Sequence, residues 1–163
     1  MIKIGDKLPD ATFMVMGKDG KIEKRLSDMT AGRKLVLFGV PGAFTPTCHH
    51  NHLPGYINSI DGLHALGVDE VAVVSVNDVY VMGAWAKASG GEGQVTFLAD
   101  GNAEFVRACG LDMDMSAGGM GVRSSRFSMI VDDGVVTHLN LEDNPGVVEK
   151  SGATGIIEQL KGA

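Results

Sequence analysis

Two almost wholly apolar stretches dominate the hydrophobic pattern of the chain. Residues 35–40 and 71–76 carry consecutive hydrophobic side chains, and turn-forming residues bound each stretch. Runs of this kind are typical of strands that are covered on both faces of a sheet. We therefore expect the two stretches to form neighbouring strands in the interior of the protein.

Helical patterns alternate with strand patterns after the first apolar stretch. Residues 79–88 have the spacing of a helix, residues 95–98 that of a short strand, and residues 103–110 and about 153–161 that of two further helices. One more helix is expected earlier in the chain, between the two apolar strands. The resulting β-α-β-α-β order predicts parallel strands in the first half of the sheet.

Two other segments have the alternation and the turn residues of β-hairpins. Residues 11–16 and 22–26 flank an Asp-Gly pair, and residues 127–131 and 135–140 flank a second one. Hairpins are antiparallel, so the complete sheet should be mixed. The pattern predicts an α/β protein with a thioredoxin-like fold: a mixed central sheet, helices on both faces and an N-terminal β-hairpin extension.

Composition limits the possible partners. The chain has 163 residues, of which 44% are hydrophobic and 21% charged, which suits one domain over residues 1–163. Its net charge is -6, and no block of lysines or arginines could follow a phosphate backbone, so nucleic acid is not an expected partner. No segment approaches about eighteen consecutive apolar residues, which argues against a membrane partner. The first residues lack the pattern of a signal peptide, so we expect a cytoplasmic protein, with a processed organellar form left open.

The chemistry points to a cysteine at the start of a helix. Thr45 and Pro46 have the residue types of an N-cap and a first helical position, which places Cys48 in the first turn. Unpaired N–H groups and the helix dipole favour a thiolate there. A free cysteine is more often a buried structural residue. The strand-to-helix junction and the nearby hydroxyl favour a reactive nucleophile instead.

An arginine brought from another part of the chain would complete a site for attack on a peroxide. A thiolate that attacks one oxygen of the O–O bond leaves negative charge on the other, which N–H groups and a guanidinium stabilise. Arg126 is the better candidate, because it directly precedes a predicted strand. Arg123 lies nearer a glycine-rich loop and is an open alternative.

The spacing Pro41-x-x-x-Thr45-x-x-Cys48 resembles the peroxidatic motif of peroxiredoxins. Nearly the whole chain is similar to the type II, or peroxiredoxin-5-like, subfamily, through segments at 52–56, 75–78, 98–100 and 126–129. The resemblance implies that Cys48 is the peroxidatic cysteine and that Thr45 and Arg126 position and activate the peroxide. It also implies that Pro41 shields the sulfur and that no metal or organic cofactor takes part.

The second half of the reaction depends on another thiol. Where relatives carry a resolving cysteine, this chain has Val73 or Ser151, and the remaining Cys109 is expected to be buried in a helix. The resemblance therefore implies a one-cysteine enzyme that is regenerated by glutathione and glutaredoxin, with thioredoxin less favoured. It also implies a homodimer packed near the active-site loop. The alternative is a peroxide-sensing switch or a holdase-type binding protein that uses the same cysteine.

Three histidines follow Cys48 closely. Cys48 and His52 share a helix face and could hold zinc, but His49 and His50 point elsewhere and no second cluster completes a tetrahedral set. His49 or His50 could instead perturb the thiolate or supply a proton. We favour surface histidines without a role in the reaction.

Overall fold

The computed structural model describes residues 1–162, in which strands and short helices alternate. The strands are β1 (Thr12–Gly17), β2 (Gly20–Arg25), β3 (Lys34–Gly39), β4 (Glu70–Ser75), β5 (Thr96–Ala99), β6 (Asp112–Asp114), β7 (Val122–Ser124), β8 (Phe127–Asp132) and β9 (Val135–Leu141). The α-helices are α1 (Leu26–Thr30), α2 (Leu53–Asn58), α3 (Ile60–Ala65), α4 (Val79–Ser89), α5 (Glu104–Cys109) and α6 (Ala153–Gly162). Each of these helices is too short to cross a membrane.

The main sheet has seven strands in the order β2-β1-β5-β4-β3-β8-β9. Strands β3, β4 and β5 are parallel, whereas β8 pairs antiparallel with β3 and β9 pairs antiparallel with β8. The two apolar stretches of the sequence are neighbours, as predicted, and the mixed thioredoxin-like sheet is confirmed. Strands β6 and β7 form a separate small sheet that the sequence did not predict, because three residues are too few to show a period.

Side chains alternate between two hydrophobic cores along the central strands. Val36 and Phe38 belong to a core with α2, α3, α4 and α6, whereas Leu35 and Leu37 belong to another with α1 and α5. All four side chains are fully buried. This alternation explains why β3 is continuously apolar: each face of the sheet is covered by helices.

The hairpin turns differ from each other in geometry. In the N-terminal hairpin Gly17 pairs with Gly20, so the two turn residues are Lys18 and Asp19 rather than the predicted Asp-Gly pair. In the second hairpin Asp133 and Gly134 form the turn, and both have positive φ, 48° and 81°. Two successive positive φ values match the twist of the flanking strands.

The segment after β3 carries the predicted nucleophile. Helical backbone begins at Pro46, widens into a π-helical turn at Cys48–His52 and continues as α2. Proline at position 54 has no N–H to donate, which explains why the regular pattern is interrupted just before it. Wide turns of this type occur frequently at functional sites.

Candidate active site

The loop between β3 and the helix is fixed by hydrogen bonds that it donates to β4 and to the side chain of Asn77, just after β4. The N–H of Val40 donates to the carbonyl of Val74 at 3.1 Å, and the N–H of Ala43 donates to Oδ1 of Asn77 at 3.0 Å. Pro41 is buried in this loop. These bonds hold the loop at the carboxyl end of β3, beside the end of β4.

Thr45 stands at the start of the helix, as predicted, but its hydroxyl does not cap it. Its carbonyl accepts from the N–H of His49 at 2.8 Å, which begins the helical pattern. The hydroxyl donates to the carbonyl of Gly42 at 2.7 Å. Because its proton is used inside the loop, the oxygen lone pairs of Thr45 stay free to accept another hydrogen bond.

Cys48 and Arg126 are in direct contact. Cys48 is 0% exposed and Arg126 is 2% exposed. Nη2 of Arg126 donates to Sγ at 3.0 Å. A buried guanidinium beside sulfur favours a negative charge on it, since the two charges stabilise each other where water is excluded.

Three different acceptors fix the orientation of the Arg126 side chain. Its Nη2 donates to Sγ of Cys48, its Nε donates to the carbonyl of Pro145 at 2.8 Å, and its Nη1 donates to Nδ1 of His52 at 2.9 Å. A planar guanidinium held at three points cannot rotate without breaking a bond. Arg126 is therefore preorganised towards Cys48.

His52 is a neutral acceptor in this arrangement. Arginine can only donate, so Nδ1 of His52 accepts and its Nε2 carries the proton that bonds the carbonyl of Ser151 at 2.9 Å. Burial, together with the charge of Arg126, lowers the pKa of His52 to about 4. The hydroxyl of Tyr56 donates to the same carbonyl at 2.7 Å, and burial raises the pKa of Tyr56.

The other two histidines differ from each other. His49 is half-buried, and its Nδ1 accepts from Nε1 of the buried Trp85 at 3.0 Å, so it is not the free surface histidine that we expected. His50 is exposed. Within residues 1–162 no cluster of three or more histidine, cysteine, aspartate or glutamate side chains is arranged to hold a metal ion.

The two cysteines lie in different cores. Cys48 packs in the core of α2 and α4, whereas Cys109 packs in the core of α5, on the other side of the sheet. Burial raises the pKa of Cys109 to about 12. Its carbonyl accepts from the N–H of Ile2 at 2.7 Å, so the N-terminal segment also covers it.

Comparison with known proteins identifies the family. The Redoxin family model matches residues 3–157. The chain is 50% identical to "Peroxiredoxin-2E-2, chloroplastic" of Oryza sativa subsp. japonica, over 98% of this chain and 72% of the relative. It is 44% identical to "Peroxiredoxin-2C" of the same organism, over 98% of both chains. The chain belongs to the peroxiredoxin family.

Solved structures agree with this assignment. Reduced Prx3 of Vibrio vulnificus in complex with H2O2 has a TM-score of 0.92 and 50% identity, with 98% of this chain and 99% of that chain covered. Peroxiredoxin 5 of Alvinella pompejana has a TM-score of 0.87 and 31% identity over the full length of both chains. Peroxiredoxins are thiol peroxidases, and the likeness extends over nearly all of this chain.

Of the residues that the sequence predicted for the site, the structure places Arg126 in contact with the sulfur of Cys48. Cys48 and Arg126 are bonded, and Thr45 and Pro41 lie in the loop that leads to Cys48. Arg123 binds backbone carbonyls instead of Cys48: its Nε donates to the carbonyl of Met120 at 2.8 Å and its Nη1 to that of Val76 at 3.0 Å.

Sequence reasoning missed several residues that support this site. Asn77 fixes the Cys48 loop, and Ser151 and Pro145 supply the carbonyls that His52 and Arg126 bind. Backbone carbonyls carry no sequence signal, since every residue has one. Only the polarity of Asn77 directly after a buried strand could have pointed to it.

Proposed function

We propose that this peroxiredoxin reduces hydrogen peroxide and small organic hydroperoxides through Cys48. The thiolate sulfur attacks the terminal oxygen, an S–O bond forms and the O–O bond breaks. The sulfur is oxidised to a sulfenic acid, and the other oxygen takes up a proton and leaves as water or an alcohol. The observation that carries the proposal is the 3.0 Å contact between Nη2 of Arg126 and Sγ, with both groups buried.

Arg126 and Thr45 have complementary tasks in this proposal. The guanidinium stabilises the thiolate before attack and the negative charge that develops on the leaving oxygen. The hydroxyl oxygen of Thr45 is free to accept a hydrogen bond from the O–H of the hydroperoxide, because its own hydrogen is donated to the carbonyl of Gly42. Pro41, buried in the same loop, shields the sulfur from solvent. A buried sulfur also favours small substrates.

The neutral state of His52 supports this arrangement. With a pKa of about 4, its ring is unprotonated near neutral pH and accepts from Nη1 of Arg126. A protonated ring would have donors at both nitrogens and would lose that bond. Arg126 therefore keeps the hydrogen bond from Nη1 that orients its guanidinium towards Cys48 only while His52 is neutral.

We propose further that an external thiol regenerates Cys48. Cys109 lies in the opposite core, so it cannot reach the sulfenic acid in this conformation. Its high pKa also keeps the thiol protonated, which makes it a poor nucleophile. Glutathione would condense with the sulfenic acid, releasing water and forming a mixed disulfide. A glutaredoxin thiolate would then attack the glutathione sulfur and release the Cys48 thiolate. Since Cys48 is buried, its helical turn must move for the mixed disulfide to form.

The experiment for the reductant is a turnover assay with peroxide in excess. The reduced protein would be given glutathione with glutaredoxin, glutathione alone, or thioredoxin with its reductase, beside a Cys48→Ser variant. We expect sustained turnover with glutathione and glutaredoxin, and a glutathione adduct on the Cys48 peptide. Turnover only with thioredoxin would reject the glutathione proposal. Oxidation that stops after one equivalent with every donor would favour the peroxide-sensing switch.

A homodimer and a cytoplasmic location belong to the same proposal. Phe44 is 47% exposed beside the active-site loop and lies against the ring of His49, 5.6 Å between centroids. A second copy would cover this aromatic surface. Sedimentation of the protein and of a Phe44→Asp variant tests the dimer: we expect only the variant to be monomeric. Cytoplasmic location stays a prediction, since the relatives named above include a chloroplastic protein.

A further inference from the structure

One carboxylate oxygen collects an unusual number of donors next to the active site. Oε2 of Glu142 accepts from the N–H groups of Glu149, Lys150 and Ser151 at 3.0, 2.8 and 2.7 Å. It also accepts from the hydroxyl of Ser151 at 2.6 Å. Burial alone would raise the pKa of Glu142, but these hydrogen bonds hold it below the usual value. The side chain is therefore an anion near neutral pH although the residue is 7% exposed.

The segment held by Glu142 supplies the carbonyls that orient the active site. Residues 143–151 leave the end of β9 and return beside Cys48. Within them, Pro145 accepts from Nε of Arg126 and Ser151 accepts from Nε2 of His52. The carbonyl of Gly146 accepts from the hydroxyl of Thr47, next to Cys48, at 3.1 Å. Every one of these bonds depends on the path of the segment.

Glu142 is also hydrogen-bonded directly to the backbone of Arg126. Its N–H donates to the carbonyl of Arg126 at 3.1 Å. One residue thus joins the backbone of Arg126 to both carbonyls that fix the guanidinium and its histidine partner. Without the carboxylate, three adjacent N–H groups would lose their acceptor, and a segment of this length would have to find another path.

We propose that Glu142 is a positioning residue for the reaction of Cys48: its carboxylate folds residues 143–151 so that Pro145 and Ser151 hold Arg126 and His52 against the sulfur. Glu142 acts through these residues and does not touch the reacting atoms. The inference rests on the proposed function, because it assigns a role in the reactivity of Cys48. It adds a residue that the peroxidatic motif does not contain.

The test compares Glu142→Ala and Glu142→Gln with Asp143→Asn. Asp143 is the next residue and forms an ion pair with Lys150 at the surface. Its variant therefore removes one negative charge beside the same segment but leaves the hydrogen bonds to Glu142 in place. Glutamine retains one oxygen as an acceptor but loses the charge. The readouts are the rate of reaction with hydrogen peroxide and the pH profile of Cys48 alkylation, followed on the Cys48 peptide by mass spectrometry.

Misplacement of a reacting group by about 1 Å costs about 10²-fold in rate. We expect Glu142→Ala to react at least about tenfold more slowly with peroxide, and its alkylation profile to move to higher pH. Glu142→Gln should lie between this variant and the wild type, and Asp143→Asn should match the wild type. A folded Glu142→Ala with wild-type rate and profile overturns the proposal, and so does lower thermal stability with an unchanged profile.

Two further comparisons keep the test decisive. If Glu142→Ala does not fold, Glu142→Gln and Ser151→Ala decide, since Ser151→Ala removes one donor and retains the carbonyl that His52 binds. Wild-type profiles and rates in both would then overturn the proposal. A wild type that fails to react with peroxide would reject the proposed function. Alkylation needs no peroxide, so the pH profiles of the variants would still test the role of Glu142.

Discussion

Nη2 of Arg126 lies 3.0 Å from Sγ of Cys48, although 78 residues separate them in sequence. Arg126 directly precedes β8 and Cys48 lies in the helical turn that follows β3, and β3 and β8 pair directly in the sheet. The pairing of these two strands brings the two residues to the same end of the sheet.

Arg126→Lys should slow the reaction with hydrogen peroxide strongly. Lysine keeps the positive charge but cannot donate to Cys48, His52 and Pro145 at once, and removal of one preorganised donor typically costs about 10²–10³-fold. Stopped-flow measurement of the second-order rate constant checks this. Arg123→Lys is the comparison, because Arg123 binds the carbonyls of Met120 and Val76 instead. Equal losses in the two variants would contradict the assignment.

His52→Gln should make the free energy of unfolding depend less on pH in the acid range. The unfolded chain protonates this histidine below pH 6.5, whereas the folded protein resists protonation down to about pH 4. Its contribution is complete above pH 6.5 and is lost as the pH falls towards 4, about 3 kcal/mol in all. Glutamine can donate to Ser151 and accept from Arg126 without titrating.

Urea unfolding at pH 7.5 and pH 4.5 measures the difference. We expect the wild type to lose about 2–3 kcal/mol more than His52→Gln between these two values. Since a protonated His52 cannot accept from Arg126, the wild-type reaction with peroxide should also decline, but only as the pH approaches about 4. Parallel losses of stability in both proteins would show that His52 does not titrate as described.

The sequence predicted the central strands, and it offered candidate residues for the site, but it did not predict the groups that hold Arg126 in place. The continuous apolarity of residues 35–40 indicated a strand covered on both faces, and the Thr45-Pro46 pair indicated where the helix begins. Both signals are local. The hydrogen bonds that hold Arg126 and His52 give no such signal, because they use the backbone carbonyls of Pro145 and Ser151, and every residue has a carbonyl. The positions of these two carbonyls depend on how residues 143–151 return across the molecule.

His49 shows a second limit of local reasoning. Its neighbours in sequence are polar, which favoured a surface histidine, yet it accepts a hydrogen bond from Trp85 on α4. That contact depends on how α4 packs against the Cys48 helix. The two arginines do differ in their contacts: Arg126 donates to Sγ of Cys48, whereas Arg123 donates to backbone carbonyls.

His49→Ala should destabilise the protein more than His50→Ala. Without His49, the buried Nε1–H of Trp85 has no acceptor, which costs about 1–3 kcal/mol. His50 is exposed, and substitutions at such positions usually change stability by about 0.5 kcal/mol or less. The two midpoints of urea unfolding give the comparison. Equal midpoints would mean that the Trp85 bond adds nothing to stability.

Gly39→Ala should destabilise the sheet beneath the active-site loop. Gly39 pairs with Phe127 of β8, and a Cβ at Gly39 would overlap the Phe127 ring. Overpacking of this kind typically costs about 1–3 kcal/mol. Gly62→Ala is the matched control: it lies in α3 with open space around it, so better helix propensity should stabilise it by about 0.5–1 kcal/mol. Thermal unfolding that ranked the two variants in the opposite order would contradict this packing.

The central claim is that Cys48 alone performs the attack on peroxide. The most direct measurement is a single turnover: the fully reduced protein, Cys48→Ser and Cys109→Ser are each mixed with one equivalent of hydrogen peroxide, and a sulfenic-acid reagent then labels the product for mass spectrometry. We predict rapid peroxide loss and a label on Cys48 in the wild type and in Cys109→Ser, with neither in Cys48→Ser. Rapid loss in Cys48→Ser, or a label on Cys109 in the wild type, would contradict the account.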